Sequence, residues 1–353
     1  MRIEQITFTR FIAAISIVIF HYGRNVFPFK IESISFLFNQ ANIGVSYFFI
    51  LSGFVMIIAY GQKVKINTID YLKNRFARIY PVYFLAIILL LIFFTITSSK
   101  IDFYGLILNI FLIQSWIPGQ ALSFNYPGWS LAVEFLFYLA FPFLFNYVYS
   151  KFDFKRIVIP ILFIWVVSQI CLHIASTTSF YKGFPSKSHD LIYYFPIMHL
   201  NEFLMGNLAG LFFINKLRTK KINIDWLIVL LLLILFALLR FNTFINFHNG
   251  FLMIIFIPLI ISFSLNNGIL SRFSNHKFCV FLGEISYGIY ILQVPIFLWV
   301  RAVFSHFGIH SNFILFYLSL IILIMTSAVS YFFIETPLRK KIKKLHITAG
   351  HSQ

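Results

Sequence analysis

Long apolar runs dominate the chain, and short segments rich in charged and polar residues separate them. A helix of about 20 apolar residues is long enough to cross the roughly 30 Å hydrocarbon core of a bilayer. The pattern therefore predicts an all-α polytopic membrane protein with about ten transmembrane helices. The predicted spans are 5–22, 43–61, 79–97, 129–149, 157–175, 192–214, 224–240, 250–265, 279–300 and 312–334.

One further apolar piece, 101–116, is shorter and has polar residues at both ends. Its length alone leaves a spanning, a re-entrant and an interfacial helix open. If this piece does not cross, most Lys and Arg residues fall into loops on one side of the membrane, as is typical of cytoplasmic loops. We therefore predict ten spans with both termini in the cytoplasm.

Composition and charge narrow the class of protein. With 60% hydrophobic and only 11% charged residues, the chain lacks the polar surface of a soluble domain. The net charge of +17 is spread over short loops, which indicates topology signals rather than nucleic-acid binding. Cys171 and Cys279 have neither a disulfide pattern nor metal-ligand spacing, so no metal site is expected.

The chain start carries no signal-peptide cleavage motif, so the first apolar run is expected to be a retained helix. We expect a membrane domain over 1–337 and a basic cytoplasmic tail over 338–353, without an appended soluble domain.

His21 near the far end of the first span, and Glu134 about one turn into the fourth, are ionisable groups within apolar runs. Such groups are costly in hydrocarbon and mark sites or pathways. The predicted topology gives them similar depth, so they could form a general base and its orienting carboxylate. A structural hydrogen bond between interfacial residues is the alternative.

Ser130, Glu134 and Tyr138 follow one another at four-residue spacing and so share one helix face, which fits the lining of a cavity. The alternative is the start of an interfacial helix, with Trp129 in the aromatic belt.

Arg75 and Arg78 are three residues apart and share a helix face where the third span leaves the cytoplasm. Two guanidinium groups there suit a phosphate-bearing ligand, although ordinary positive-inside anchoring would also explain them. Ser52 beside Gly53, and Ser286 beside Tyr287, are further cavity candidates, with helix packing as the alternative. Glu284 is expected to be a structural residue at the cytoplasmic interface.

Several motifs in this order resemble the bacterial integral-membrane acyltransferase family called acyltransferase family three. Together they extend over most of the chain, and the ordered set is more specific than any single motif. They are Arg10-Phe11 with His21, Phe48-Phe49-Ile50-Leu51-Ser52-Gly53-Phe54, Arg75-Phe76-Ala77-Arg78-Ile79-Tyr80-Pro81, Trp129-Ser130-Leu131-Ala132-Val133-Glu134, Glu202-Phe203-Leu204-Met205-Gly206, Ser286-Tyr287-Gly288-Ile289-Tyr290 and Glu335-Thr336-Pro337.

The resemblance implies that His21 is the essential catalytic histidine and that Glu134 belongs to a tryptophan-serine-glutamate element. It also implies that Arg10, Arg75 and Arg78 contribute to binding of the acyl donor. The chain departs from the family pattern at Asn201 and at 45–47, which concerns the acceptor side.

The resemblance further implies a multi-pass enzyme of the bacterial inner membrane that needs no permanently bound cofactor. Acyl-coenzyme A, most often acetyl-coenzyme A, would be its co-substrate, and a surface or lipid-linked glycan, such as lipopolysaccharide, its acceptor. His21 would act as general base or would carry the acyl group covalently. A proton-coupled transporter using His21 and Glu134 is the alternative function, and a structural subunit is a third. The acceptor and the oligomeric state stay open.

Overall fold

A computed structural model describes residues 3–241 and 246–344 of the protein. Helices account for all regular elements in these two ranges, which confirms the all-α prediction. The last nine residues of the expected basic tail, 345–353, lie outside the described residues. The helices are α1 (Gln5–Val18), α2 (Glu32–Asn39), α3 (Gly44–Tyr60), α4 (Thr68–Ile96), α5 (Phe103–Ile110), α6 (Trp129–Leu144), α7 (Phe154–Thr177), α8 (Lys187–Tyr193), α9 (Leu200–Phe212), α10 (Asp225–Arg240), α11 (Met253–Leu265), α12 (Ile269–Ser274), α13 (Lys277–His306), α14 (Asn312–Ser330) and α15 (Thr336–Lys344).

Eight helical stretches among the described residues are long and apolar enough to cross a membrane. Two of the ten predicted spans correspond to shorter helices, α10 with 16 residues and α11 with 13. The number of crossings and the side of the termini therefore stay predictions. Within 101–116 the chain forms only the eight-residue α5 and a single 3-10 turn. Eight helical residues rise about 12 Å, so this piece does not span.

Hydrogen bonds between distant segments hold one set of helix ends together. Gln5 at the start of α1 donates to the carbonyl of Asn266 after α11 (3.4 Å). The Asn146 side chain, in a π-helical turn after α6, exchanges two hydrogen bonds with the backbone of Ile66 just before α4 (2.8 and 2.9 Å). The clusters around Lys63, 151–156, 216–221 and 339–344 lie at the same helix ends. We call this the basic end of the bundle.

Glycines permit the close crossing of α3 and α9. A Cβ atom on Gly206 would lie 2.1 Å from the Ile50 carbonyl oxygen, and one on Gly53 would lie 2.2 Å from that of Phe203. Both obstacles are backbone atoms, which cannot rotate away. Ser52 lies directly before Gly53 on α3.

Gly206→Leu should therefore destabilise the protein by about 1–3 kcal/mol, since overpacking against backbone forces the two helices apart. The measurement is thermal unfolding of the detergent-solubilised protein. Ala302→Leu, at an exposed position of α13, is the matched control and should unfold like the native chain. Equal stability of all three proteins would contradict the close crossing.

Candidate active site

A buried cavity of about 110 Å³ lies between α1, α3, α4, α6 and α13. Its walls are apolar on one side, with Phe48, Phe49 and Met56. Of the eleven residues proposed from sequence, nine line it. These are Arg10, Ser52, Arg75, Arg78, Ser130, Glu134, Tyr138, Ser286 and Tyr287.

A second cavity of about 300 Å³ adjoins the first on the side of the basic end. The two share six lining residues, which are Arg10, Leu51, Val55, Arg75, Arg78 and Tyr287. The second cavity also reaches Ile3 near the start of the chain and Ala59 near the end of α3. The cavities are therefore stacked along the bundle, and the three arginines lie where they meet.

Among the described residues, no carboxylate lies within ion-pair distance of Arg10, Arg75 or Arg78, although Glu134 lines the same cavity. The ion pairs within 4 Å among the described residues are Lys73–Asp70, His199–Glu202 and Arg339–Glu335. The guanidinium carbon of Arg75 instead lies 5.6 to 5.9 Å from the ring centroids of Tyr60, Tyr71 and Tyr138. Such a positively charged wall, partly shielded from water, is suited to an anionic ligand.

Glu134 accepts a hydrogen bond from the Ser52 hydroxyl (3.0 Å), which joins α6 to α3 across the cavity. Among the described residues, Glu134 and His21 share no hydrogen bond, although the predicted topology gave them similar depth. The physical reason is the packing order, because α1 packs along α13 and not along α6 near His21. Glu134 thus belongs to the arginine cavity.

His21 lies outside the cavity, near the opposite end of the bundle. It occupies the centre of a π-helical turn, Ile19–Gly23, that continues α1. Its Nδ1 atom is hydrogen-bonded to Oε1 of Gln293 (2.7 Å), and its ring packs edge-on against Tyr126 with 4.8 Å between centroids. Single π-helical turns in α-helices are frequent at functional sites.

Two hydroxyl groups line the cavity on the side of His21. The Ser130 and Tyr290 oxygens are hydrogen-bonded (2.9 Å), and both residues line the cavity. Tyr290 lies three residues before Gln293 on α13, which is about 4.5 Å along the helix. His21 and the cavity are therefore neighbouring compartments.

The remaining candidates from sequence have structural contacts. Trp129 stands behind the cavity wall, where it packs against Phe49 (5.9 Å) and His199 (5.3 Å between centroids). The hydroxyl of Ser286 donates to the Gly283 carbonyl (2.7 Å), and that of Tyr287 to the Ile79 carbonyl (2.6 Å). Both residues line the cavity with hydroxyl groups that already have acceptors.

Sequence reasoning missed part of the second cavity. Glu284, expected to be purely structural, lines it together with Glu335 and Arg339. Tyr331 donates to Glu284 (2.5 Å), and Arg339 pairs with Glu335 at 3.6 Å. Glu335 and Arg339 are four residues apart, directly after the last apolar run. This spacing could have predicted that the two side chains pair on one helix face.

Comparison with known proteins identifies the family of the chain. A family model described as an acyltransferase domain matches residues 3–333. The chain belongs to this acyltransferase family. No solved structure matches the sequence.

Several curated acyltransferase-family relatives match. The chain is 27% identical to O-acetyltransferase OatA of Staphylococcus aureus over 85% of this chain and 53% of that protein. It is 32% identical to acyltransferase MdmB of Streptomyces mycarofaciens over 40% of this chain and 39% of that one. A putative acetyltransferase, ORF330, of Acidianus two-tailed virus is 26% identical over 82% of this chain and 81% of its own length. The matched regions thus span about half or less of the first two relatives.

If the two cavities are hydrated and electropositive, a cysteine at Val55, which lines both, should be labelled by charged thiosulfonate reagents. With Cys171 and Cys279 replaced by alanine, we expect the anionic reagent to react about 10-fold faster than the cationic one of similar size. Each rate is divided by that of the same reagent with a free thiol.

Val329→Cys, 55% exposed on the outer surface of α14, is the control and should stay unlabelled, because a thiol facing lipid is not ionised. Faster labelling of Val55→Cys by the cationic reagent would contradict an electropositive cavity.

Proposed function

We propose that the protein transfers an acyl group from acyl-coenzyme A to a hydroxyl group of a glycan. The observation that supports this most strongly is the set of three arginines at the junction of two cavities, with no carboxylate of the described residues within ion-pair distance. In a membrane-spanning bundle a cluster of charged groups is costly and is expected to serve a ligand. Membership of the acyltransferase family makes an anionic acyl donor the natural candidate.

The phosphate groups of the donor would bind Arg10, Arg75 and Arg78 from the basic end. Guanidinium groups bind phosphate oxygens in pairs and keep their charge when partly buried. Basic loops favour a cytoplasmic location for this end, where coenzyme A thioesters are made. Glu134, held by Ser52 (3.0 Å), would partly balance the arginine charge and orient the donor.

His21 would act as the general base. It follows Arg10 by eleven residues, a rise of about 16 Å, so only a donor with a long arm can bind at the arginines and reach it. The pantetheine arm of coenzyme A is such an arm, and its thioester would pass Ser130 and Tyr290 when their hydrogen bond opens.

The reaction then proceeds by attack of the acceptor oxygen on the thioester carbonyl carbon. His21 takes the hydroxyl proton as the new carbon–oxygen bond forms. The carbon–sulfur bond breaks, and the proton passes to the thiolate of coenzyme A. General-base assistance of this kind contributes about 10²–10⁴-fold in rate. An acyl-histidine intermediate would use the same residue.

We propose acetyl as the acyl group, because acetyl is the group named for the Staphylococcus relative. The glycan would approach His21 from the opposite end of the bundle, so that the donor and the acceptor meet within the membrane.

The test is transfer of labelled acetyl from acetyl-coenzyme A to host glycans in membranes carrying the protein. His21→Ala should lower the rate constant by at least about 10²-fold. Arg78→Gln should raise the KM for the donor by about 10-fold or more, the cost of one lost charged hydrogen bond.

His306→Ala and Arg301→Gln, both at exposed positions, are the matched controls and should transfer label like the native chain. Full transfer by His21→Ala would refute the general-base role. Absence of transfer from every acyl-coenzyme A tried would refute the proposed donor.

A further inference from the structure

Gln293 is a buried side chain whose amide makes two short hydrogen bonds. It is 0% exposed on α13. Its Oε1 atom faces Nδ1 of His21 at 2.7 Å, and its Nε2 atom donates to the carbonyl of Tyr290 at 2.6 Å. Nothing in the sequence pattern pointed to this residue.

The second of these hydrogen bonds fixes the direction of the amide. A backbone carbonyl only accepts, so the nitrogen of the Gln293 amide must face Tyr290 and the oxygen must face His21. An amide oxygen also only accepts, so Nδ1 of His21 must carry the proton. In the neutral imidazole this leaves the lone pair on Nε2, the atom that a general base uses.

The backbone around Gln293 is also held in place. Pro295 has no N–H group, so the Ile291 carbonyl loses its usual helical donor. The side chain of Asn125 donates to that carbonyl instead (3.3 Å). On the other side, the ring of Tyr22 stacks on Phe297 with 3.9 Å between centroids. The contacts therefore fix α13 against the π-helical turn that carries His21.

We propose that Gln293 is a positioning residue for His21, which holds the imidazole with its proton on Nδ1 and its lone pair on Nε2. This role rests on the proposed function, in which His21 is the base. Papain-like proteases orient their histidine with an asparagine amide, so an amide suffices for this task. Unlike a carboxylate, an amide adds no second buried charge at membrane depth.

The direct test is the tautomer of His21, which does not depend on activity. The protein is labelled with ¹⁵N-histidine and studied in lipid at about pH 8, where an ordinary imidazole is neutral. The His21 signal, one of ten histidines, is assigned by comparison with His21→Asn. We expect a single Nδ1–H tautomer in the native chain and a mixture of both tautomers in Gln293→Met.

Kinetics supply the second measurement. Gln293→Met fills the same space without an acceptor and should lower kcat by about 10²-fold, with the KM for the donor changed less than about 2-fold. Gln293→Glu keeps an oxygen opposite Nδ1 and should retain kcat within about 10-fold. Gln169→Met replaces a buried glutamine that donates to Asn249, far from His21 in the chain, and should resemble the native protein.

The outcomes separate this inference from the proposed function. A native-like tautomer and kcat in Gln293→Met would overturn the positioning role, even if His21→Ala is inactive. A mixed tautomer in Gln293→Met, in a protein that transfers no acyl group, would support the positioning of His21 and refute the proposed reaction.

Discussion

The site is organised by three arginines that form no ion pair with a carboxylate of the described residues. Arg10 on α1 and Arg75 and Arg78 on α4 meet where two cavities adjoin, and their charges have no carboxylate within ion-pair distance in the described ranges. Placing such charge inside an apolar bundle lowers stability. The cost is consistent with a site that is completed by an anionic ligand. Cation–π contacts with the surrounding tyrosine rings stabilise the charge of Arg75 in part and leave the cavity open.

The helix packing explains why the proposed donor binding and proton transfer would occur at different depths. α1 carries Arg10 near the basic end and His21 eleven residues later, so one helix contributes to both compartments. α13 follows the same path in the same direction, with Tyr287 in both cavities, Tyr290 at the boundary and Gln293 on His21. A donor that enters from the basic end would thus pass the charged groups first and the base last.

The fold class and most of the cavity could be predicted from the sequence, because apolar run length and helical spacing decide both. The four-residue spacing of Ser130, Glu134 and Tyr138 placed all three on one cavity wall. Contacts between helices could not be predicted in this way. The predicted topology gave His21 and Glu134 similar depth, yet their partners are Gln293 and Ser52, because predicted depth does not determine which helices are neighbours. Gln293 lies in an apolar run, and its role could not be predicted from sequence because its contact with His21 depends on how the helices pack.

In the proposed reaction, the arginine junction holds the phosphates of an acyl donor whose thioester reaches His21. The most direct measurement is a cryo-electron microscopy structure, in a lipid nanodisc, with a non-hydrolysable acyl-coenzyme A analogue. We expect phosphate density beside Arg10, Arg75 and Arg78, and the acyl carbonyl next to Nε2 of His21, beyond a separated Ser130 and Tyr290. Phosphate density at the opposite end of the bundle, or an analogue that ends within the arginine cavity, would contradict it.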